Sequence, residues 1–153
     1  MTATNHALTG AFIGLAVGQP AVAVPAALVS HFLCDAIPHW TPDTPPDRRL
    51  RSNSFRNYLI ADASFCFLLV AVLAAVRPDQ WFLAAICAFV ATSPDFLWIP
   101  RYVKTRVGKR WRPNLYSRFA LGIQWFSRPI GAVVEAAWFV AAILLILPFL
   151  LAA

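Results

Sequence analysis

The sequence predicts an all-α fold, a polytopic membrane helix bundle of four to five segments forming one integral membrane domain over residues 1–153. Three observations carry that reading. Hydrophobic residues make up 59% of the chain and charged ones 13%, whereas a soluble domain devotes about a quarter of its positions to charge. Mean hydropathy is +0.63, which excludes a disordered chain. Long uncharged stretches alternate with short polar links, and a transmembrane helix needs about 20 apolar residues, so the length admits at most five spans.

From Ala7 to Val29 there is no charge, and the apolar run continues to Ile37 apart from Ser30, His31 and Asp35. As one helix this stretch would measure roughly 46 Å against a hydrocarbon core of about 30 Å. Gly18-Gln19-Pro20 breaks it. The expectation is a short helix over 5–18, which could be re-entrant, and a second over 20–37. Pro38 to Pro46 then reads as a rigid extended link, since proline fixes φ and stops the helix before it. Apolar runs over 57–76, 81–99 and 129–151 give three more helices, with Arg77-Pro78-Asp79-Gln80 as a tight turn between the first two. Gly10, Gly14 and Gly18 recur at four-residue spacing, a pattern that lets two helices approach closely; the first two helices are the expected pair. Cys34, Cys66 and Cys87 lie inside apolar runs without a C-x-x-C pair and read as small buried hydrophobes. No internal repeat of the inverted-transporter kind is visible.

Twelve of the thirteen basic residues fall in two loops: Arg48, Arg49, Arg51 and Arg56 in one, and Arg101, Lys104, Arg106, Lys109, Arg110, Arg112, Arg118 and Arg128 in the other. The positive-inside rule then puts both loops and the N-terminus in the cytoplasm, with the Arg77 turn and the C-terminus outside the inner membrane. The N-terminus has no basic n-region, so Met1 is expected to begin the mature chain. Such a charge distribution favours contact with anionic lipid headgroups over nucleic acid. Tyr102, Trp111, Tyr116, Trp125 and Phe126 suit an interfacial segment before the last span.

Ionisable residues nevertheless sit inside apolar segments: His31, Asp35, Asp62, Asp95 and Glu135, with His6 and His39 at segment ends. An acid at mid-bilayer costs roughly 2.5–3.5 kcal/mol on insertion scales, which makes each a functional candidate. The topology delivers these groups to one depth near the cytoplasmic surface. His31 and Asp35 are i and i+4, on one helix face. Imidazole and carboxylate donors suit zinc best, with manganese or iron as alternatives. A divalent cation would also hold clustered carboxylates ionised. The expected metal set is His6, His31, Asp35, His39, Asp62 and Asp95. Plainer roles compete: His6 as an interhelical hydrogen-bond partner, Asp35 paired with Arg48 or Arg49, and Asp95 paired with Arg101.

The segments Thr4-Asn5-His6-Ala7, Ser30-His31-Phe32-Leu33-Cys34-Asp35-Ala36-Ile37-Pro38-His39 and Thr92-Ser93-Pro94-Asp95 resemble motifs of the small membrane-bound metal-dependent hydrolases of the YdjM-like group. That group is distantly similar to zinc-dependent phospholipase C and P1 nuclease. The resemblance covers mainly the first hundred residues, and the His-Arg-Gly-x-Thr-His element associated with the group is missing here. It implies a membrane-embedded hydrolase cleaving a phosphoester of a lipid or lipid-linked substrate at the cytoplasmic face. His6, His31, Asp35 and His39 match its ligands best; Asp62 or Asp95 would be the general base, and Arg48, Arg49, Arg51 and Arg101 would hold an anionic headgroup. Two other classes remain open: a divalent-cation or proton transporter or channel, and a non-catalytic structural membrane protein, in a homo-oligomer if the glycine face pairs between copies.

Overall fold

The structure is a computed structural model describing residues 1–152. Most of it is helix, in the order α1 (Ala3–Val17), α2 (Pro20–Ala36), α3 (Pro46–Arg51), α4 (Asn53–Val76), α5 (Trp81–Thr92), a 3-10 turn (Ser93–Trp98), α6 (Ile99–Arg106), α7 (Leu115–Ile123) and α8 (Gly131–Leu151). Three stretches are long and apolar enough to cross a membrane: Asn53–Val76, Trp81–Arg106 and Gly131–Leu151, with Pro20–Ala36 a shorter apolar helix. The all-α class and the break at Gly18 are as the sequence predicts. Gly18 ends α1 in the left-handed region at φ 67°, a conformation glycine adopts without a Cβ penalty, and Pro20 opens α2 where its missing N–H costs nothing.

The first helix is short, as expected, and it is the centre of the bundle, running antiparallel to α2 and packed by α2, α4, α5 and α8. Ala7, Leu8, Ala11 and Leu15 of α1 are buried with Leu73 of α4, Ala84 and Ala88 of α5, and Ala142 and Ile146 of α8. At about 1.5 Å per residue, its fifteen residues span roughly 22 Å. A helix packed by protein along most of its length can be that short, and only its last residues, Ala16 and Val17, are exposed.

The glycine face also has a different partner from the one expected. A Cβ at Gly10 would lie 2.3 Å from the Cys87 carbonyl oxygen, and one at Gly14 would lie 2.7 Å from the Ala84 Cα. Gly10 and Gly14 therefore bring α1 against α5, not α2. Large residues sit outside: α4 buries only Asp62 and Leu73, while Phe67 is 78% exposed among other outward-facing Phe, Leu and Val side chains. An apolar outer surface of this extent is what lipid contact requires.

The bundle has two unlike ends. At one, Arg77 donates from its guanidinium to the carbonyls of Phe149 and Ala152, so the α4–α5 turn caps the last turn of α8. The other end gathers the start of α1, the end of α2, the start of α4 and the segment from Ser93 to Arg128, which includes three short helices or turns the hydropathy pattern does not reveal. Arg51 Nε donates to the Thr105 carbonyl at 3.0 Å, joining α3 to α6. The link from Pro38 is pinned by a bridge from His39 to Ser127, and Gly131 is required beside it, since a Cβ there would meet the His39 backbone at 2.2 Å.

Candidate metal centre

Three of the six expected ligands converge. His6 near the start of α1, His31 near the end of α2 and Asp95 in the 3-10 turn each offer a ligand atom within 4.8 Å of the others. His6 and His31 are 0% and 2% exposed, with ring centroids 4.2 Å apart and planes inclined by 27°. Asp95 arrives because α5 does not continue to residue 99: it gives way to the 3-10 turn at Ser93-Pro94. Tyr116 of α7 donates its hydroxyl to the Pro94 carbonyl at 3.0 Å, holding this turn, and burial pushes that phenol up to about 12.

Hydrogen bonding commits one nitrogen of each imidazole. His6 Nε2 lies 3.2 Å from Asp35 Oδ1, while its Nδ1 is buried without a partner. His31 Nδ1 lies 2.8 Å from the Ala91 carbonyl; because that oxygen only accepts, Nδ1 carries the proton and Nε2 is the basic nitrogen. An imidazole donating to a carbonyl or carboxylate through one nitrogen and presenting the other is how metal-bound histidines are held. Asp95 makes no hydrogen bond or ion pair among the described residues. The donor set of two imidazoles and a carboxylate, with a buried nitrogen lacking any partner, fits a divalent cation such as zinc.

Asp35 stands beside this group and binds it together. Its Oδ1 receives the Met1 amine at 2.5 Å and His6 Nε2, and its Oδ2 receives Gln124 Nε2 at 2.9 Å with His31 Nε2 3.5 Å away. It contacts no arginine among the described residues, nor does Asp95, so the surface ion pairs considered from the sequence are not formed. The structure thus gives Asp35 an orienting position rather than a place in the three-residue ligand group.

Two other expected ligands have different work. Asp62 accepts from the Ala3 and Thr4 amides at 2.8 and 2.9 Å and from the Thr4 hydroxyl at 2.5 Å. It caps α1 from α4, satisfying N–H groups that a helix start leaves unpaired, and it stands outside the three-residue group. His39 has both nitrogens engaged, Nδ1 with the Ile37 carbonyl at 3.0 Å and Nε2 with Ser127 Oγ at 2.9 Å. It ties the proline-rich link to the segment before α8, and burial pushes its imidazole below the ordinary value.

Of the expected headgroup-binding arginines, Arg51 and Arg101 line one cavity of about 270 Å³ with Asp47, Lys109, Arg110 and Arg112. The Arg101 guanidinium lies 5.5 Å from the Trp98 ring centroid and 4.9 Å from that of Trp111. Arg49 lies over Phe55 at 5.6 Å, and Arg48 is exposed on α3. Neither lines that cavity. Gln124 and the Ala91 carbonyl are site components that sequence reasoning does not find, because neither belongs to a motif or carries charge. Comparison of the chain with models of protein families, with curated proteins and with solved structures found no match.

Proposed function

We propose that this chain is a membrane-embedded, metal-dependent hydrolase acting on a phosphoester of a lipid or lipid-linked substrate, with its site at the cytoplasmic face of the inner membrane. One observation carries the reading: His6, His31 and Asp95 come from three separate elements, and each offers a ligand atom within 4.8 Å of the others. One imidazole nitrogen from each of His6 and His31 and an Asp95 oxygen would hold the ion, zinc being the metal this donor set favours. A bound divalent cation lowers the pKa of water toward 7 and draws charge from a phosphoryl oxygen.

The chain's own residues supply the rest. Three protein donors leave coordination positions for water and substrate, as catalytic sites require. Asp35 fixes the His6 ring and Ala91 the His31 ring, which keeps the basic nitrogens aimed. Arg51 and Arg101, held by Thr105 and by two tryptophans, offer positive charge that no carboxylate neutralises in an ion pair among the described residues. That suits an anionic phosphate at the membrane surface. Transport is the weaker reading, because the far half of the bundle core is built from Leu15, Leu73, Ile146 and Phe149, which offer an ion no polar path.

The test is release of phosphate-bearing product from phospholipid vesicles containing the purified protein. Turnover should be abolished by a chelator, restored by zinc, and lowered at least about 100-fold in Asp95→Asn. Turnover that survives both chelation and Asp95→Asn would contradict the proposal.

A further inference from the structure

A second cavity, of about 400 Å³, lies between the start of α1, α4 and α8, with Trp40 at its edge. Its lining includes Asn5, Trp40, Tyr58, Glu135 and Phe139, none of them part of the metal centre. Asn5 is 2% exposed and Glu135 is 7% exposed. Asn5 Nδ2 donates to the Glu135 backbone carbonyl at 3.1 Å, which fixes the amide and leaves Oδ1 as a buried acceptor with no partner. The Glu135 carboxylate receives one hydrogen bond, from the Trp40 amide at 3.2 Å, and no cation lies within ion-pair distance of it among the described residues.

A buried carbonyl oxygen without a donor and a carboxylate without a counter-charge are both costly, and costlier beside lipid. The same group relieves both: one bearing positive charge and N–H donors. The aromatic walls add to this, since the Trp40 and Tyr58 rings stand 5.7 Å apart at 51°, and ring faces attract cations. Phe139, on the outward side of α8, extends the apolar wall.

We propose that this cavity binds a primary ammonium group carried on an apolar chain. The ammonium sits between Glu135 and Asn5 Oδ1 against Trp40 and Tyr58, and the chain follows Phe139. A primary ammonium is favoured over a quaternary one because Asn5 Oδ1 needs an N–H donor. The site is independent of the metal reading, and its test requires neither metal nor turnover.

The experiment is calorimetric titration of the full chain in lipid nanodiscs, with empty nanodiscs as the blank, using hexylammonium, hexyltrimethylammonium and 1-hexanol as probes. Saturable binding of one hexylammonium per chain is expected, about tenfold tighter than 1-hexanol and tighter than the quaternary probe. Glu135→Gln should abolish the preference over 1-hexanol, and Trp40→Leu should weaken hexylammonium about fivefold. Trp40→Leu is the second handle should Glu135→Gln fail to yield folded protein. Equal affinity for hexylammonium and 1-hexanol, a preference that persists in Glu135→Gln, binding unchanged in Trp40→Leu, or tighter binding of the quaternary probe would overturn the assignment.

Discussion

The two ends of the bundle are made from the same helices yet behave as different materials. Toward the Arg77 turn, Leu15, Leu73, Ile146, Phe12 and Phe149 pack side chain to side chain, and the main polar device is an arginine closing a helix C-terminus. Toward the basic loops, buried Asn5, His6, His31, Asp35, Asp62 and Glu135 are joined by hydrogen bonds between elements distant in sequence. The apolar end needs only shape and volume. The polar end needs each donor matched to an acceptor, so two of the three buried side-chain atoms left unmatched among the described residues, His6 Nδ1 and Asn5 Oδ1 (Arg49 Nε is the third), mark where a ligand would belong.

The largest expected effect strikes the contact that serves both ends. Gly10→Val drives a side chain into the backbone of α5, and neither helix can move without disturbing the other. A loss of about 3 kcal/mol or more is expected, read as failure to recover monodisperse protein in detergent, whereas Ala11→Gly at the next position should still fold. Next comes Asp35→Asn, which keeps the shape but weakens the hold on the His6 ring. Metal affinity should fall about 10- to 100-fold, measured by competition with a chelating dye, with thermal unfolding of the metal-free protein changed far less. The smallest effects compare the ends directly. Asp62→Asn should cost about 1 kcal/mol of stability through the lost cap, and Arg77→Ala about 0.5 kcal/mol through the far helix terminus. Neither should alter metal affinity in the same titration; a tenfold loss in Asp62→Asn would restore it as a ligand.

Much of the frame is legible from hydropathy alone: the long apolar runs, the break at Gly18 and the turn at Arg77 all appear where the pattern puts them. What hydropathy does not distinguish is centre from rim. α1 and α4 are both apolar, yet α1 is central because Gly10, Ala11 and Gly14 let neighbours close in, while α4 carries Phe65, Phe67 and Leu68 outward. Of the six residues that the sequence offers as ligands, three form the candidate group. His31 and Asp35 share a helix face as their spacing requires, but a carboxylate that orients a ligand and one that is a ligand look alike in sequence. Asp62 and Asp95 lie equally deep in apolar segments, and what separates them is tertiary: α1 brings its unpaired N–H groups to the first, and Pro94 turns the second toward the histidines.

The central claim is a cation held by His6, His31 and Asp95, and metal content per chain tests it most directly. Protein purified without chelator and loaded with zinc should retain one ion per chain after desalting. His6→Ala, His31→Ala and Asp95→Ala should each reduce that to near zero, while His39→Gln and Asp62→Asn should keep it. Wild-type protein that retains no zinc, or one whose zinc survives Asp95→Ala yet is lost in His39→Gln, would contradict the account.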